Sequence, residues 1–201
     1  MNFWDWARYV LAILVIASFP PSLLLWLAIH PFAAFWRRVG AVWTYVILGF
    51  PVVGYMVGVW LFRKTLLVLN LGTNVFTMIL AGIAFGTAVL LKRSVVTQLR
   101  FAALSGIPEL SKEKYPGKLL TEGIYGQVRN PRYIEALLWV MAYSLFANYL
   151  GAYFIVVLCL PLIYFVVRLE ERELRERFGT AYEEYCRRVP RFVPKPRPRN
   201  E

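Results

Sequence analysis

The sequence predicts an all-α, polytopic membrane bundle of about five transmembrane helices that ends in a helical hairpin. Three observations lead there. Of the 201 residues, 59% are hydrophobic and 17% charged, more apolar content than a soluble domain of this size can bury. The apolar residues gather into long runs, and a hydrocarbon core about 30 Å thick takes roughly 20 residues of helix to cross. The charges fall between those runs and give a formal net charge of +11.

The expected spans are residues 9–29, 41–62, 73–91, 134–149 and 152–167. The last two are short, about 16 residues or roughly 24 Å each, and cross only with help from flanking groups or local thinning. The first run is too long for a signal peptide, carries Pro20-Pro21 and Trp26, and lacks a small-residue cleavage site, so it is read as a helix that stays. Pro20-Pro21 and Pro51 should kink or break their helices, since each removes a backbone donor. Gly54-x-x-x-Gly58 and Gly82-x-x-x-Gly86 offer small-residue faces for close helix packing.

With the C-terminus inside, only Arg8, Arg63 and Lys64 of the 23 Lys and Arg fall outside. The positive-inside rule therefore predicts a multi-pass protein with a cytoplasmic C-terminus. The basic excess then serves anionic lipid headgroups, and nucleic acid is not an expected partner. Cys159 and Cys186 have no Cys or His at ligand spacing, so neither a disulfide nor a metal site is expected. His30, the single histidine, reads as a solvated boundary residue.

Residues 1–91 read as a three-helix scaffold and residues 92–201 as the chemical part. Residues 94–104 are amphipathic enough to prolong the third helix, and Gly106, Pro108, Pro116 and Gly117 then break the chain into turns. Asn130-Pro131 is a helix start, with asparagine at the cap and proline at the first position. Its unpaired N–H groups, with Arg129 and Arg132 beside them, suit an anion. The helix after the last span continues through Leu169, Leu174 and Phe178 to Gly179. Glu171 with Arg175, and Glu173 with Arg177, are spaced as i,i+4 pairs. Tyr182 and Tyr185 read as packing residues, and the tail from Pro190 as an extended stretch lying on headgroups. A hairpin in lipid returns its ends to one surface, so the cluster at Arg129 and that at Glu170-Glu171 should meet.

Gly123-x-Tyr125, Val128-Arg129-Asn130-Pro131-x-Tyr133, then Glu170-Glu171-x-x-Leu174-x-x-x-Phe178-Gly179-x-x-Tyr182-x-x-Tyr185 resembles the C-terminal half of the isoprenylcysteine carboxyl methyltransferases. Phospholipid methyltransferases and bacterial membrane methyltransferases share the pattern, which covers roughly residues 117–194. The resemblance implies S-adenosylmethionine in a cytoplasmic pocket and methyl transfer to a lipophilic small-molecule or lipid acceptor reached from the bilayer. It places Leu119, Leu120, Tyr125, Asn130, Pro131, Arg132, Tyr133, Glu170 and Glu171 at cofactor-contacting positions. Arg129, Glu135 and Glu170 are the candidate catalytic residues. Glu135 has two readings, complementing its helix N-terminus with Arg132 or taking a proton from the acceptor.

The chain departs from the carboxyl methyltransferases at four positions. Asn130 stands where they usually carry histidine, Gly117 where another histidine is expected, Glu135 where a small residue is common, and Val166 where an arginine contacts substrate. These changes point away from a prenylcysteine carboxylate and leave a lipid amine, a lipophilic thiol or another carboxylate. Two other classes stay open, an NADPH-dependent membrane reductase related to the sterol reductases and a non-catalytic membrane partner.

Overall fold

The computed structural model describes residues 2–98 and 119–194, and within them the chain is helical. In chain order come α1 (Phe3–Ile29), α2 (Ala33–Val39), α3 (Ala41–Leu66) and α4 (Val75–Val96). After a short 3-10 turn (Gly123–Gly126) follow α5 (Pro131–Ala147), α6 (Leu150–Phe178) and α7 (Thr180–Arg188). Residues 99–118, which hold most of the expected loop, and the end of the basic tail lie outside the described residues.

Helices α1, α3, α4 and α6 are long and apolar enough to cross a membrane. The expected fourth span is α5, whose 17 residues fall short of them. The expected fifth span and the charged stretch after it form one continuous helix of 29 residues. Its apolar N-terminal part is the membrane portion, and the segment from Arg168 projects beyond it. Helix α1 packs against α3, α5 and α6, and α4 lies along α5. Outward faces of α3 and α4 expose large apolar side chains such as Phe50, Leu61, Phe76 and Ile83, as lipid-facing helices do.

The prolines do not break their helices. Pro20 and Pro21 lie inside α1, and Pro51 lies inside α3. Pro20 cannot donate to the Ile16 carbonyl one turn back, and the Tyr55 hydroxyl of α3 donates to that oxygen at 2.8 Å. Ser22 donates to the Phe19 carbonyl at 2.7 Å. At Ile16 a neighbouring helix thus satisfies a group that lipid cannot.

The end of the bundle away from the Glu170-Glu171 cluster is stitched together by Arg8. Its side chain is buried, 2% exposed. It donates to the Ala147 carbonyl (3.0 Å), Asn70 Oδ1 (2.7 Å) and the Gly72 carbonyl (2.7 Å). Five donors in a planar fork reach three acceptors at once. Residues 69–71 also pair with the α5–α6 turn, through Leu71 N–H to Asn148 O and Leu150 N–H to Leu69 O. That turn depends on Asn148, which sits at φ 53°, a left-handed conformation asparagine tolerates better than most side chains.

The small-residue faces are a second departure. A Cβ at Gly54, Gly58, Gly82 or Gly86 would meet nothing within 4 Å, whereas at Gly151 it would lie 2.0 Å from the Leu66 carbonyl. The close helix approach therefore occurs at Gly151 on α6. Gly151→Ala is expected to lower stability by about 1–3 kcal/mol through overpacking, and Gly54→Ala to change it by less than about 1 kcal/mol. Thermal unfolding in detergent micelles separates the two.

Candidate functional site

At the opposite end the chain must accommodate a carboxylate with no solvent. Glu171 is 0% exposed. Two guanidinium groups and an amide enclose it. Arg129 lies at 3.2 Å from Oε1, Asn130 Nδ2 donates to Oε1 at 3.0 Å, and Arg191 donates to Oε2 at 2.7 Å. Every partner is far away in sequence. The α5–α6 hairpin supplies the first encounter, and the segment after α7 closes over it. There the backbone pairs as well, Arg129 N–H to Pro190 O at 2.9 Å and Asn130 N–H to Arg191 O at 3.2 Å.

One residue earlier on α6, the geometry changes. Consecutive helical residues point about 100° apart, so Glu170 looks toward α5 and accepts from the Tyr133 hydroxyl at 2.5 Å. The Tyr125 phenol belongs to the same neighbourhood. Its pKa is pushed above the usual tyrosine range by burial first and by the Glu170 charge second, while Arg132 opposes the rise. Glu135 also acts on Tyr125 and accepts from the Trp139 indole at 2.9 Å. The Tyr125 carbonyl accepts from the Tyr185 hydroxyl at 2.7 Å, which anchors the loop, and burial pushes that phenol's pKa up to about 12. The result is a half-buried site in which Glu170, Tyr125, Tyr133 and Arg132 gather, with Glu135 acting from the side.

Gly123 opens the turn that presents Tyr125. It sits at φ 56°, where a Cβ would run into the Gln98 side chain. Next to it, Gln98, Leu119, Leu120, Thr121, Glu122 and Gly123 line a cleft of about 260 Å³. Leu119 also packs on Tyr182, Tyr185 and Val189, so the expected apolar pair flanks the site. Pro131 is buried at the start of α5 and the Asn130 carbonyl receives the first helical bonds.

Several expectations change. Asn130 caps α5 with its backbone only, because its side chain turns to Glu171. Arg129 does not face the pocket with its charge. It is committed to Glu171 and to the carbonyls of Cys186 (2.9 Å) and Val189 (3.1 Å). Glu171 stands apart from the pocket, since packing turns it inward. The Glu171–Arg175 pair gives way to Arg129 and Arg191. Glu173 meets His30 Nδ1 at 3.1 Å, and that histidine side chain is 3% exposed rather than solvated.

Sequence reasoning missed the segment after α7. Val189-Pro190-Arg191-Phe192-Val193 interrupts a basic tail with apolar residues, which is a signal of docking. Arg191 lies on Glu171, while Phe192 packs against the buried cluster of Phe19, Leu23, Cys159, Ile163 and Val167. Phe192 also lines an apolar groove of about 200 Å³ with Tyr133, Ile134, Leu137, Leu160 and Tyr164. Tyr182 and Tyr185 are buried beneath the segment, as packing residues.

A family described as phospholipid methyltransferase matches residues 76–181. The chain is 31% identical to protein-S-isoprenylcysteine O-methyltransferase B of Arabidopsis thaliana over 119 residues, 59% of this chain and 56% of that protein. It is 35% identical to a Delta(14)-sterol reductase of Mus musculus over 80 residues, 38% of this chain and 19% of that protein. A Delta(14)-sterol reductase of Gallus gallus is 38% identical over 80 residues, 36% of this chain and 12% of that protein. The chain thus spans from 12% to 56% of the length of these relatives. No solved structure matches it.

The two adjacent glutamates should separate cleanly by mutation. Glu171→Ala strands the enclosed Arg129 guanidinium and frees the partly exposed Arg191, and is expected to lower stability by about 3 kcal/mol. Glu170→Gln is expected to lower it by less than about 1 kcal/mol. Chemical denaturation of the detergent-solubilised variants measures both.

Proposed function

The chain belongs to the phospholipid methyltransferase family, and from that membership we propose that it is an integral membrane methyltransferase using S-adenosylmethionine. Its acceptor is a lipophilic molecule drawn from the bilayer. The observation that carries the reading is the Tyr133–Glu170 contact, with Tyr125 and Arg132 beside it.

The donor set suits the cofactor. Glu170 matches an ammonium or ribose hydroxyls, Arg132 a carboxylate, and Tyr125 or Tyr133 a flat face for adenine. Leu119 and Leu120 offer an apolar edge. Arg129, Asn130, Pro131 and Glu171 contribute by holding the loop and the start of α5 in place, which differs from direct contact. When bound, the cofactor supplies an electrophilic methyl group on a sulfonium. The protein's part is to align the acceptor with it and keep water out. Glu135, steadied by Trp139, is the group placed to take a proton from an amine or thiol acceptor. The groove beside Phe192 supports entry of the acceptor's hydrocarbon part sideways from lipid.

The finer organisation follows from the same reading. Residues 1–91 form the scaffold and residues 92–201 the catalytic part. Helix α5 completes a fifth crossing by tilting little and relying on flanking polar groups. The basic asymmetry supports a cytoplasmic C-terminus near anionic headgroups.

The likeness to the sterol reductases supports a second reading, an NADPH-binding pocket. Titrating purified protein with S-adenosylmethionine and with NADPH decides between them, and only the first is expected to bind. Incubation with methyl-labelled S-adenosylmethionine and a total lipid extract should label a lipophilic product. Tyr133→Phe and Glu170→Gln are each expected to weaken S-adenosylmethionine binding about tenfold, the loss of one charged hydrogen bond, with little change in unfolding midpoint. Absence of both a labelled product and measurable cofactor affinity would overturn the reading.

A further inference from the structure

Arg132 occupies the first turn of α5, and something must aim its long side chain. Its guanidinium carbon lies 5.1 Å from the centre of the Trp26 ring on α1, inside the range of a cation–π contact. Trp26 is itself held. His30, one helical turn later on the same face, stacks on it with ring centres 5.1 Å apart and planes at 23°. His30 in turn meets Glu173 of α6 at 3.1 Å.

These contacts form a closed circuit. Glu173 and Glu170 are three residues apart, roughly 60° round the helix, so α6 presents both carboxylates on one side. Glu170 holds α5 through Tyr133, and Glu173 holds α1 through His30. The Arg132–Trp26 contact joins α5 to α1 and completes the ring of three helices. Each link ties two of these helices together, and Arg132 is the cation among them whose charge also acts on the Tyr125 phenol.

We propose that Trp26, clamped by the His30–Glu173 pair, is a positioning residue that holds the Arg132 guanidinium in the orientation that receives the cofactor's carboxylate. The inference rests on the reading that this pocket binds S-adenosylmethionine through Arg132. It gives a role in the reaction to α1, on the scaffold side of the chain. A planar guanidinium stacks on an indole where an ammonium does not hold a fixed direction, so Arg132→Lys keeps the charge and loses the aim.

The test is a double-mutant cycle on S-adenosylmethionine affinity, by calorimetric titration of purified full-length protein in detergent, with unfolding midpoints recorded beside it. Trp26→Leu is expected to weaken binding about fivefold, a cation–π loss, with Trp26→Phe in between because it keeps an aromatic face. Arg132→Ala should weaken binding by at least as much. The pair Trp26→Leu, Arg132→Ala should bind no more weakly than Arg132→Ala alone, since the indole acts through the guanidinium. If Trp26→Leu does not fold, the order Trp, Tyr, Phe at that position carries the same test, affinity falling from the first to the last. Multiplying effects in the double variant, or unchanged affinity in the Trp26 variants while Arg132→Ala binds poorly, overturns the positioning role alone. Wild-type affinity in Arg132→Ala overturns both this inference and the assignment of Arg132 on which it stands.

Discussion

The end of the bundle that carries Glu170 and Glu171 is organised around one buried carboxylate. Removing Glu171 from water costs several kcal/mol, and only well-placed partners offset it. Arg129 and Asn130, from the start of α5, and Arg191, from the segment after α7, do so together. Satisfying that one charge therefore obliges the loop before α5, the middle of α6 and the segment after α7 to converge. Tyr125, Tyr133 and Glu170 gain their mutual geometry from this convergence.

The arrangement gives two adjacent carboxylates different surroundings. Glu171 is enclosed and exchanges nothing with its surroundings. Glu170 is half-buried and accepts a hydrogen bond from the Tyr133 hydroxyl at 2.5 Å. The same division runs through the arginines. Arg129 and Arg191 are engaged with Glu171, whereas Arg132 lies over the Trp26 indole and its charge acts on the Tyr125 phenol. A rigid frame with a small set of directed polar groups is what alignment of two reactants requires.

The two ends of the bundle solve a similar problem with different groups. At the far end Arg8 gathers carbonyls and an asparagine around a buried cation. At the near end cations gather around a buried anion. Between them the core is apolar, first around Ala12, Ile16 and Ala152, then around Phe19, Cys159 and Val167. Polar networks at both ends give register to helices that apolar packing alone would allow to slide. Gly151 adds to this by letting α6 abut the Leu66 carbonyl.

Much of this was legible in the sequence. Length and continuity of the apolar runs identify a helical membrane protein, Asn130-Pro131 marks the start of α5, and Gly179, at φ 54°, marks the end of α6. The hairpin rule brings residues 129–133 to Glu170-Glu171 without coordinates. Local rules of this kind work because helix ends, prolines and glycines act within a few residues. Tertiary structure decided the rest. Neighbouring glutamates look alike in sequence, and which one points inward depends on the helix's rotation, set by α1 and α5 packing on it. Arg129 found Glu171, His30 found Glu173, and the tail folded back through Arg191 and Phe192. These partners lie tens of residues to more than a hundred apart, and no periodicity carries information over that distance. Only the demand that every buried charge be met, applied to the whole packed chain, selects among them.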